Sequence, residues 1–277
     1  MNISDKIVSS LSRILVATVA LGASIVPATV VAADINFGVQ PILDQKRARE
    51  VFEPLAQYIA RATGKTVSLK TSYDFADYWL KLKSGSSYDL VLDGPFYTDY
   101  LIKEQKFVPL VKVPGVVSHS LVAAPTAAFF GPEDLVGKRV ATLIPPAPAG
   151  LLLARMFPQP TRQPFIVPTK SSEEALEMVI AGKAEAAMVP TPLVAAAMSQ
   201  GKELMTVTVS TQIPHITLSA SSSIDADTRL KIRAALLAAA QTPQGQAMLQ
   251  AAGFREGFEP TQAELYVGYS EYLTQHW

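Results

Sequence analysis

The 277-residue sequence contains no cysteine. Disulfide bonds, metal sites with thiolate ligands and cysteine nucleophiles are therefore excluded. A lipid anchor on an N-terminal cysteine is excluded for the same reason. The fold must be stabilised by its hydrophobic core alone, which the roughly 240 residues that follow the N-terminal segment are long enough to provide.

Net charge is also lacking, because 24 lysine and arginine residues balance 24 aspartate and glutamate residues. This balance argues against nucleic acid or an anionic membrane surface as a partner. The sequence has no HExxH zinc motif, no nucleophile elbow and no glycine-rich phosphate loop. Its one Ser-His neighbourhood, Ser118-His119-Ser120, lies on a predicted strand, whose alternation turns the histidine away from both serines. We expect a protein that is not an enzyme and has no cofactor.

One long apolar run is present, at the N-terminus. Lys6 and Arg13 precede the apolar stretch 14–31, and small residues follow it as far as Ala33. This pattern is typical of a secretory signal peptide, residues 1–33, and an uncleaved membrane anchor is the alternative. The small residues that end at Ala33 favour cleavage. Because no second run of spanning length follows, we expect a soluble monomer in the periplasm.

The remaining sequence alternates short apolar strands with longer amphipathic helices. Strands are predicted at 35–39, 66–69 and 88–92 with helices between them, and the pattern restarts after Gly131. Three helices, at about 225–241, 243–252 and 261–275, close the chain. Such alternation predicts an α/β fold whose sheets are mixed, mostly parallel and flanked by helices.

Two alternating blocks predict two lobes joined by two crossing strands. The first lobe is expected to comprise residues 34–118 plus 216–277, and the second residues 119–215. The crossings then run through Ser118-His119-Ser120 and Pro214-His215-Ile216.

Several short motifs, each weak by itself, occur in a fixed order along the chain. They include Phe37-Gly38-Val39-Gln40-Pro41, Asp93-Gly94-Pro95-Phe96, Leu135-Val136-Gly137-Lys138-Arg139-Val140 and Ala252-Gly253-Phe254. In this order and spacing the sequence resembles the PhnD-like phosphate- and phosphonate-binding proteins of ABC importers, within the type II periplasmic binding proteins. The resemblance covers essentially the whole chain beyond residue 33. It implies a periplasmic solute-binding protein that captures a small molecule in an interlobe cleft and delivers it to an ABC permease.

The expected pocket departs from the pattern of that family. Where its phosphonate binders carry tyrosine, this sequence has Phe75 and Ser118, and the loop that would hold the phosphonate oxygens reads Ala147-Pro148-Ala149-Gly150. Ser172 takes the place of a histidine, and Pro190 that of an acidic residue. A phosphonate dianion needs several charge-assisted hydrogen bonds, each contributing about 1.5–3 kcal/mol. We therefore expect a ligand that is not a phosphonate.

The ligand is expected at the carboxyl ends of the strands and along the crossing strands, since ligands of open α/β sheets lie there, beside helix N-termini. The candidate ligand-binding residues are Phe75, Gly94, Phe96, Tyr97, Ser118, His119, Ala149, Gly150, Ser171, Ser172, Thr191 and His215. Aromatic and weakly polar side chains of this kind suit a neutral or partly apolar small molecule.

Three alternatives stay open at this point. Phe96 and Tyr97 begin a helix and equally suit packing in a core. His119 and His215, one on each crossing, suit a metal ion or a pH response, although without cysteine or a carboxylate pattern we expect no metal. The fold also suits a subunit that reports to a membrane sensor or an assembly pathway instead of a permease.

Overall fold

The computed structural model describes residues 34–274, so the predicted signal peptide lies outside the described residues. The strands are β1 (Ile35–Val39), β2 (Val67–Lys70), β3 (Leu90–Asp93), β4 (Val108–Lys112), β5 (Val116–Val117), β6 (His119–Ala123), β7 (Arg139–Thr142), β8 (Phe165–Pro168), β9 (Ala186–Pro190), β10 (Met205–Val209), β11 (Ile213–Pro214), β12 (Thr217–Ala220) and β13 (Glu259–Pro260). The helices are α1 (Gln45–Thr63), α2 (Phe75–Lys83), α3 (Pro95–Gln105), α4 (Pro148–Met156), α5 (Ser172–Ile180), α6 (Thr191–Ser199), α7 (Ala226–Leu237), α8 (Pro243–Ala252) and α9 (Glu271–Thr274). Short 3-10 turns lie at Pro132–Leu135, Ala239–Gln241 and Ala263–Tyr266.

Two mixed sheets and one short ribbon contain these strands. The order is β13-β4-β12-β3-β1-β2 in the first sheet and β10-β6-β9-β7-β8 in the second, while β5 and β11 form the ribbon. β1 pairs in parallel with β2 and β3, and β7 with β8 and β9. The other pairs among the described strands are antiparallel. The predicted α/β class is confirmed, but the parallel share is smaller than predicted because the crossing strands join each sheet in the antiparallel sense.

The chain passes between the two sheets twice. After β5 it enters β6 of the second sheet, and from β10 it returns through β11 to β12 of the first. The predicted two-lobed architecture with two crossings is therefore confirmed. The lobe boundaries at 118 and 215 stay a prediction, because buried side chains from both sheets belong to one shared cluster.

Helix α1 shows how the sequence sets a local element. The carboxylate of Asp44 accepts hydrogen bonds from the backbone N–H groups of Lys46 and Arg47, which caps the first turn. Gly64 ends the helix in the left-handed conformation, where glycine has no steric penalty. Buried residues at helical spacing, among them Phe52 and Leu55, pack the helix onto the first sheet.

Three buried clusters form the core. One lies in the first lobe, where α1, α7 and α8 cover the first sheet. Another packs α5 and α6 onto the second sheet. The shared cluster contains Phe75 and Tyr97 from the first lobe and Leu151 and Met188 from the second. This cluster joins the lobes by direct apolar contact beside the cleft.

The C-terminal segment differs from its prediction. A single helix over 261–275 is wrong within the described residues, which contain the turn Ala263–Tyr266 and then α9. Gly268 lies between them with φ of 92°, a conformation that ends a helix. The predicted helix 225–241 likewise stops at Leu237 and continues as a 3-10 turn. None of the helices within residues 34–274 is both long enough and apolar enough to cross a membrane.

Candidate ligand-binding site

A cavity of about 280 Å³ lies where the two sheets and the ribbon meet. Its apolar lining consists of Ile42, Leu43, Phe75, Val117, Leu143, Ala149, Leu193, Ile213 and Ile216, together with Pro95, Pro148, Pro190, Pro192 and Pro214. Its other lining residues are Gln40, Gly94, His119, Ser172, Glu173 and His215. The volume is near the lower end of the range of small-molecule pockets. As in such pockets, most lining residues are apolar and only a few are polar.

One face of the β5–β11 ribbon forms part of the cavity wall. Ile213 pairs with Val117, and both side chains line the cavity. His119 and His215 each lie two residues beyond this pair, outside the ribbon itself, and both line the cavity. The ribbon is therefore an apolar part of the wall, and the chain leads from it to an imidazole in each direction.

His119 is 6% exposed and has unused hydrogen-bonding capacity. Its backbone N–H donates to the hydroxyl of Ser210, but its buried Nδ1 has no partner among the described residues. Burial lowers the pKa of His119 to about 4, so the ring is neutral at neutral pH. A buried polar atom without a partner costs about 1–3 kcal/mol, which a bound ligand atom can recover.

His215 is held in one tautomer by the backbone. The N–H of Ile216 donates to its Nδ1 at 2.7 Å, so the proton of the neutral ring resides on Nε2. Its pKa is lowered, first by burial and then by the positive charge of Lys112. Lys112 itself donates to the carbonyl oxygens of Val113 and Gly115 and pairs with Glu259. His215 therefore faces the cavity as an uncharged side chain whose remaining ring nitrogen is a donor.

Gln40 supplies an oriented amide at the carboxyl end of β1. Its Oε1 accepts the backbone N–H of Gly94 at 3.0 Å, and its own backbone N–H donates to Leu92. This hydrogen bond fixes the orientation of the amide. The two N–H donors of Nε2 have no protein acceptor among the described residues. The amide thus adds a second neutral donor to the cavity lining.

The helix N-termini beside the cavity are poorly suited to an anion. Helices α3, α4 and α6 all have proline in their first two positions, and none has a side-chain cap. Proline has no N–H, so each helix loses one of the donors that would otherwise bind an oxyanion. Of the described residues, no lysine or arginine lines the cavity, and Glu173 adds negative charge near it.

Six of the twelve candidate residues line this cavity. They are Phe75, Gly94, His119, Ala149, Ser172 and His215. Each lies on a crossing segment or near the carboxyl end of a strand. These are the positions at which the ligand is expected from the sequence.

Phe96 and Tyr97 do not line the cavity, contrary to expectation, because α3 carries their side chains into the core. The ring of Phe96 is fully buried against Tyr269 and Tyr272, with centroids 6.0 and 4.9 Å apart. Tyr97 is equally buried, stacks at 6.2 Å on Phe75 and donates its hydroxyl to the carbonyl oxygen of Pro146. The core-packing alternative is the one that the structure shows.

Three candidates with hydroxyl groups, Ser118, Ser171 and Thr191, also lie off the cavity. The hydroxyl of Thr191 bonds to those of Ser118 and Ser120, at 2.9 and 2.8 Å, on the strand face opposite His119. Ser171 caps α5 by accepting the N–H of Glu174. These groups satisfy one another or the backbone, which leaves them unavailable to a ligand.

Gly150 has a packing role. A Cβ at this position would lie 2.5 Å from the backbone nitrogen of Pro145 and 2.6 Å from the carbonyl oxygen of Leu143. Only glycine allows α4 to approach the loop after β7 this closely. Gly150 therefore positions α4 beside the cavity but does not itself line the cavity.

Gln40, Val117 and Ile213 are cavity residues that were absent from the candidate list. Gln40 follows β1 directly, so the carboxyl-end rule was sufficient to find it. Val117 and Ile213 carry no polar group, and only the pairing of the two crossings reveals their position. The metal alternative gains no support, since no group of three or more potential ligands is present among the described residues.

No curated protein sequence matches the chain. A binding-protein component of an ABC phosphonate transporter from Pseudomonas aeruginosa is 13% identical, with a TM-score of 0.70 over 87% of this chain and 85% of that one. PhnD1 from Prochlorococcus marinus, in complex with methylphosphonate, is 10% identical, with a TM-score of 0.73 over 87% and 97%. A histidine kinase sensor domain with similarity to periplasmic binding proteins is 20% identical, with a TM-score of 0.53 over 83% and 99%.

These structures share the fold, and the sequence identifies the family. The model of the periplasmic substrate-binding proteins of ABC phosphonate transporters matches residues 37–266, which is most of the chain. Members of this family are binding proteins rather than enzymes, act in the periplasm and bind a small molecule for an ABC permease. The chain belongs to the family of periplasmic substrate-binding proteins of ABC phosphonate transporters.

Proposed function

We propose that this protein binds a small, neutral, partly apolar molecule, and not a phosphonate, for import through an ABC permease. The observation that carries the proposal is the lining of the cavity between the lobes. Its polar side chains are those of Gln40, Ser172 and Glu173 and the neutral imidazoles of His119 and His215, and the described lining has no cation. The remaining lining residues are aliphatic, aromatic, glycine or proline.

A phosphonate dianion would find few compensating groups in this cavity. Transfer of a charged group from water is costly unless several donors replace its hydration. The loop Ala147-Pro148-Ala149 has no hydroxyl group, and Pro95, Pro148 and Pro192 remove backbone donors from three helix N-termini. Each missing charge-assisted bond forfeits about 1.5–3 kcal/mol, or roughly one to two powers of ten in affinity.

The contacts of Ser118 and Ser120 support binding over catalysis. Both hydroxyls bond to Thr191, whereas His119 lies on the other strand face and lines the cavity. A nucleophilic serine needs a base within hydrogen-bond reach, and this arrangement separates the two.

A sensor subunit is the second candidate function. The likeness to a histidine kinase sensor domain favours it, because that protein shares the fold over most of both chains. In this role the same cavity would bind the ligand, and the closed protein would contact a membrane receptor. A strain that lacks the protein distinguishes the roles: loss of radiolabelled ligand uptake supports import, and loss of a transcriptional response with normal uptake supports sensing.

A thermal-shift screen tests the proposed ligand class. The purified protein is heated with neutral amides, esters, alcohols and aromatic compounds, and in parallel with phosphate, phosphonates, dicarboxylates and amines. A ligand at 100 times its dissociation constant adds about 2.7 kcal/mol to the free energy of unfolding, which is readily seen. Stabilisation by neutral compounds alone supports the proposal, and stabilisation by phosphonates alone contradicts it.

A further inference from the structure

The two cavity imidazoles lie beyond opposite ends of the ribbon. Because Val117 and Ile213 pair in the antiparallel sense, the chain continues from them in opposite directions. It reaches His119 at the start of β6 in the second sheet, and His215 just before β12 in the first. Val117 and Ile213 occupy the space between them.

Each end of the ribbon has its own polar groups. At the first-lobe end, His215 precedes β12, whose Thr217 pairs with Asp93, next to the Gly94 that fixes the amide of Gln40. At the second-lobe end, His119 pairs with Pro190 of β9. Between these ends, the paired Val117 and Ile213 give the cavity an apolar surface.

We infer that the ligand of this cavity is a two-ended neutral molecule, with a hydrogen-bonding group at each end and an apolar middle that lies along the ribbon. His119 binds one end, and His215 together with Gln40 binds the other. This inference rests on the proposed function and specifies the ligand class of the same site.

The protonation pattern defines the two end groups. Nε2 of His215 and Nε2 of Gln40 are both donors, so the end group in the first lobe is an acceptor such as a carbonyl oxygen. The neutral ring of His119 has one donor and one acceptor nitrogen, and its Nδ1 has no partner among the described residues. An uncharged amide, which both donates and accepts, fits this end, whereas an anionic group at either end meets no cation in the described lining.

A series of linear α,ω-diamides tests the inference by titration calorimetry. The series spans two to eight methylene groups, with monoamides and dicarboxylates of equal length as comparisons. We expect the affinity of the diamides to peak at one intermediate length and to exceed that of the matched monoamide and dicarboxylate about tenfold or more. Equal binding of diamides and monoamides, tighter binding of dicarboxylates, or no diamide binding would overturn the inference.

Two variants assign the ends. His119→Leu removes one end, and His215→Asn retains an acceptor for the N–H of Ile216 while removing the Nε2 donor. Each change should weaken diamide binding about 3- to 12-fold and leave the monoamide contact at the other end in place. Ser118→Ala, on the opposite strand face, is the matched control and should bind as the parent does. If both histidine variants bind diamides as the parent does, the inference fails.

The two proposals fail in different ways. Neutral monofunctional compounds that bind without any length dependence contradict the two-ended ligand and leave the proposed function intact. A screen in which no neutral compound binds and a phosphonate does contradicts the proposed function itself.

Discussion

The hydroxyl of Tyr97 in the first lobe donates a hydrogen bond of 2.6 Å to the carbonyl oxygen of Pro146 in the second. Both residues are buried, and the ring of Tyr97 also contacts Phe75 and Tyr78, at centroid distances of 6.2 and 5.3 Å. The lobes are thus joined by a polar contact within the shared apolar cluster. This contact fixes the cavity wall that Phe75 and Ala149 provide.

Tyr97→Phe removes that contact while retaining the ring. The buried carbonyl group of Pro146 then lacks its partner, so we expect the free energy of unfolding to fall by about 1–3 kcal/mol. Urea denaturation measures this change. Tyr100→Phe is the control, because the half-buried Tyr100 packs on Trp79 and its hydroxyl has no bonding partner among the described residues. Equal stability of the two variants would contradict the assigned role.

Gly150→Ala should destabilise the protein because the added methyl group meets backbone atoms at 2.5–2.6 Å. Overpacking of this kind costs about 1–3 kcal/mol, measured by urea denaturation. Gly94→Ala is the matched comparison, since its nearest neighbour would be Oε1 of Gln40 at an ordinary 3.6 Å. We expect Gly94→Ala to fold with nearly parental stability but to weaken ligand binding, because Gly94 lines the cavity. The reverse order of stabilities would refute the packing role of Gly150.

Asp93 and His119 give opposite contributions to the pH dependence of stability. Burial raises the pKa of Asp93 from 3.8 to about 7, although Tyr78 and Thr98 donate hydrogen bonds that lower it. Between these values the folded state retains a proton that the unfolded state has lost, so Asp93 reduces stability as the pH rises. Burial lowers the pKa of His119 from 6.5 to about 4, so His119 reduces stability as the pH falls through that range. Each contribution is on the order of 3–4 kcal/mol.

The parent protein should therefore show little change in stability from these two groups between about pH 4 and 7. Asp93→Asn removes the contribution of the carboxyl group. The free energy of unfolding of this variant, relative to that of the parent, should therefore rise as the pH increases from 4 to 7. His119→Phe should show the opposite trend. Chemical denaturation at several pH values, taken as differences from the parent, measures both. Parallel profiles for parent and variants would show that neither group titrates as stated.

Asp99→Ala tests the attachment of the C-terminal segment. The buried carboxylate of Asp99 accepts the backbone N–H of Ser270 at 2.7 Å and so joins α3 to the residues before α9. Loss of this acceptor should cost about 1–3 kcal/mol and increase proteolysis near the C-terminus. Asp99→Asn retains an oxygen acceptor and should lose less. Identical protease sensitivity of the two variants would contradict this role.

The alternation of strands and helices was sufficient to predict the two sheets and their crossings. The carboxyl-end rule also selected Gly94, Ala149 and Ser172, because it depends only on where a strand stops. The rule failed for Phe96 and Tyr97. The orientation of their side chains depends on contacts with residues distant in sequence, such as Tyr272 and Pro146. No local pattern contains that information.

Residues of the crossings show a second limit of sequence analysis. Alternation correctly separated His119 from Ser118, but the bond between Ser118 and Thr191 depends on the pairing of β6 with β9. That His119 and His215 line one cavity likewise depends on the pairing of the two crossings, which are distant in sequence. By contrast, Gly268 was visible in the sequence as a residue that interrupts a helix, and it could have corrected the predicted C-terminal helix.

Titration calorimetry of the purified protein with methylphosphonate at pH 7.5 tests the central claim most directly. A cavity whose described lining has no cation, includes the acidic Glu173 and has proline at three helix N-termini predicts no saturable binding at millimolar ligand. Saturable binding with a micromolar dissociation constant, about −8 kcal/mol, would contradict the account, because the described lining has no group to supply that energy to a dianion.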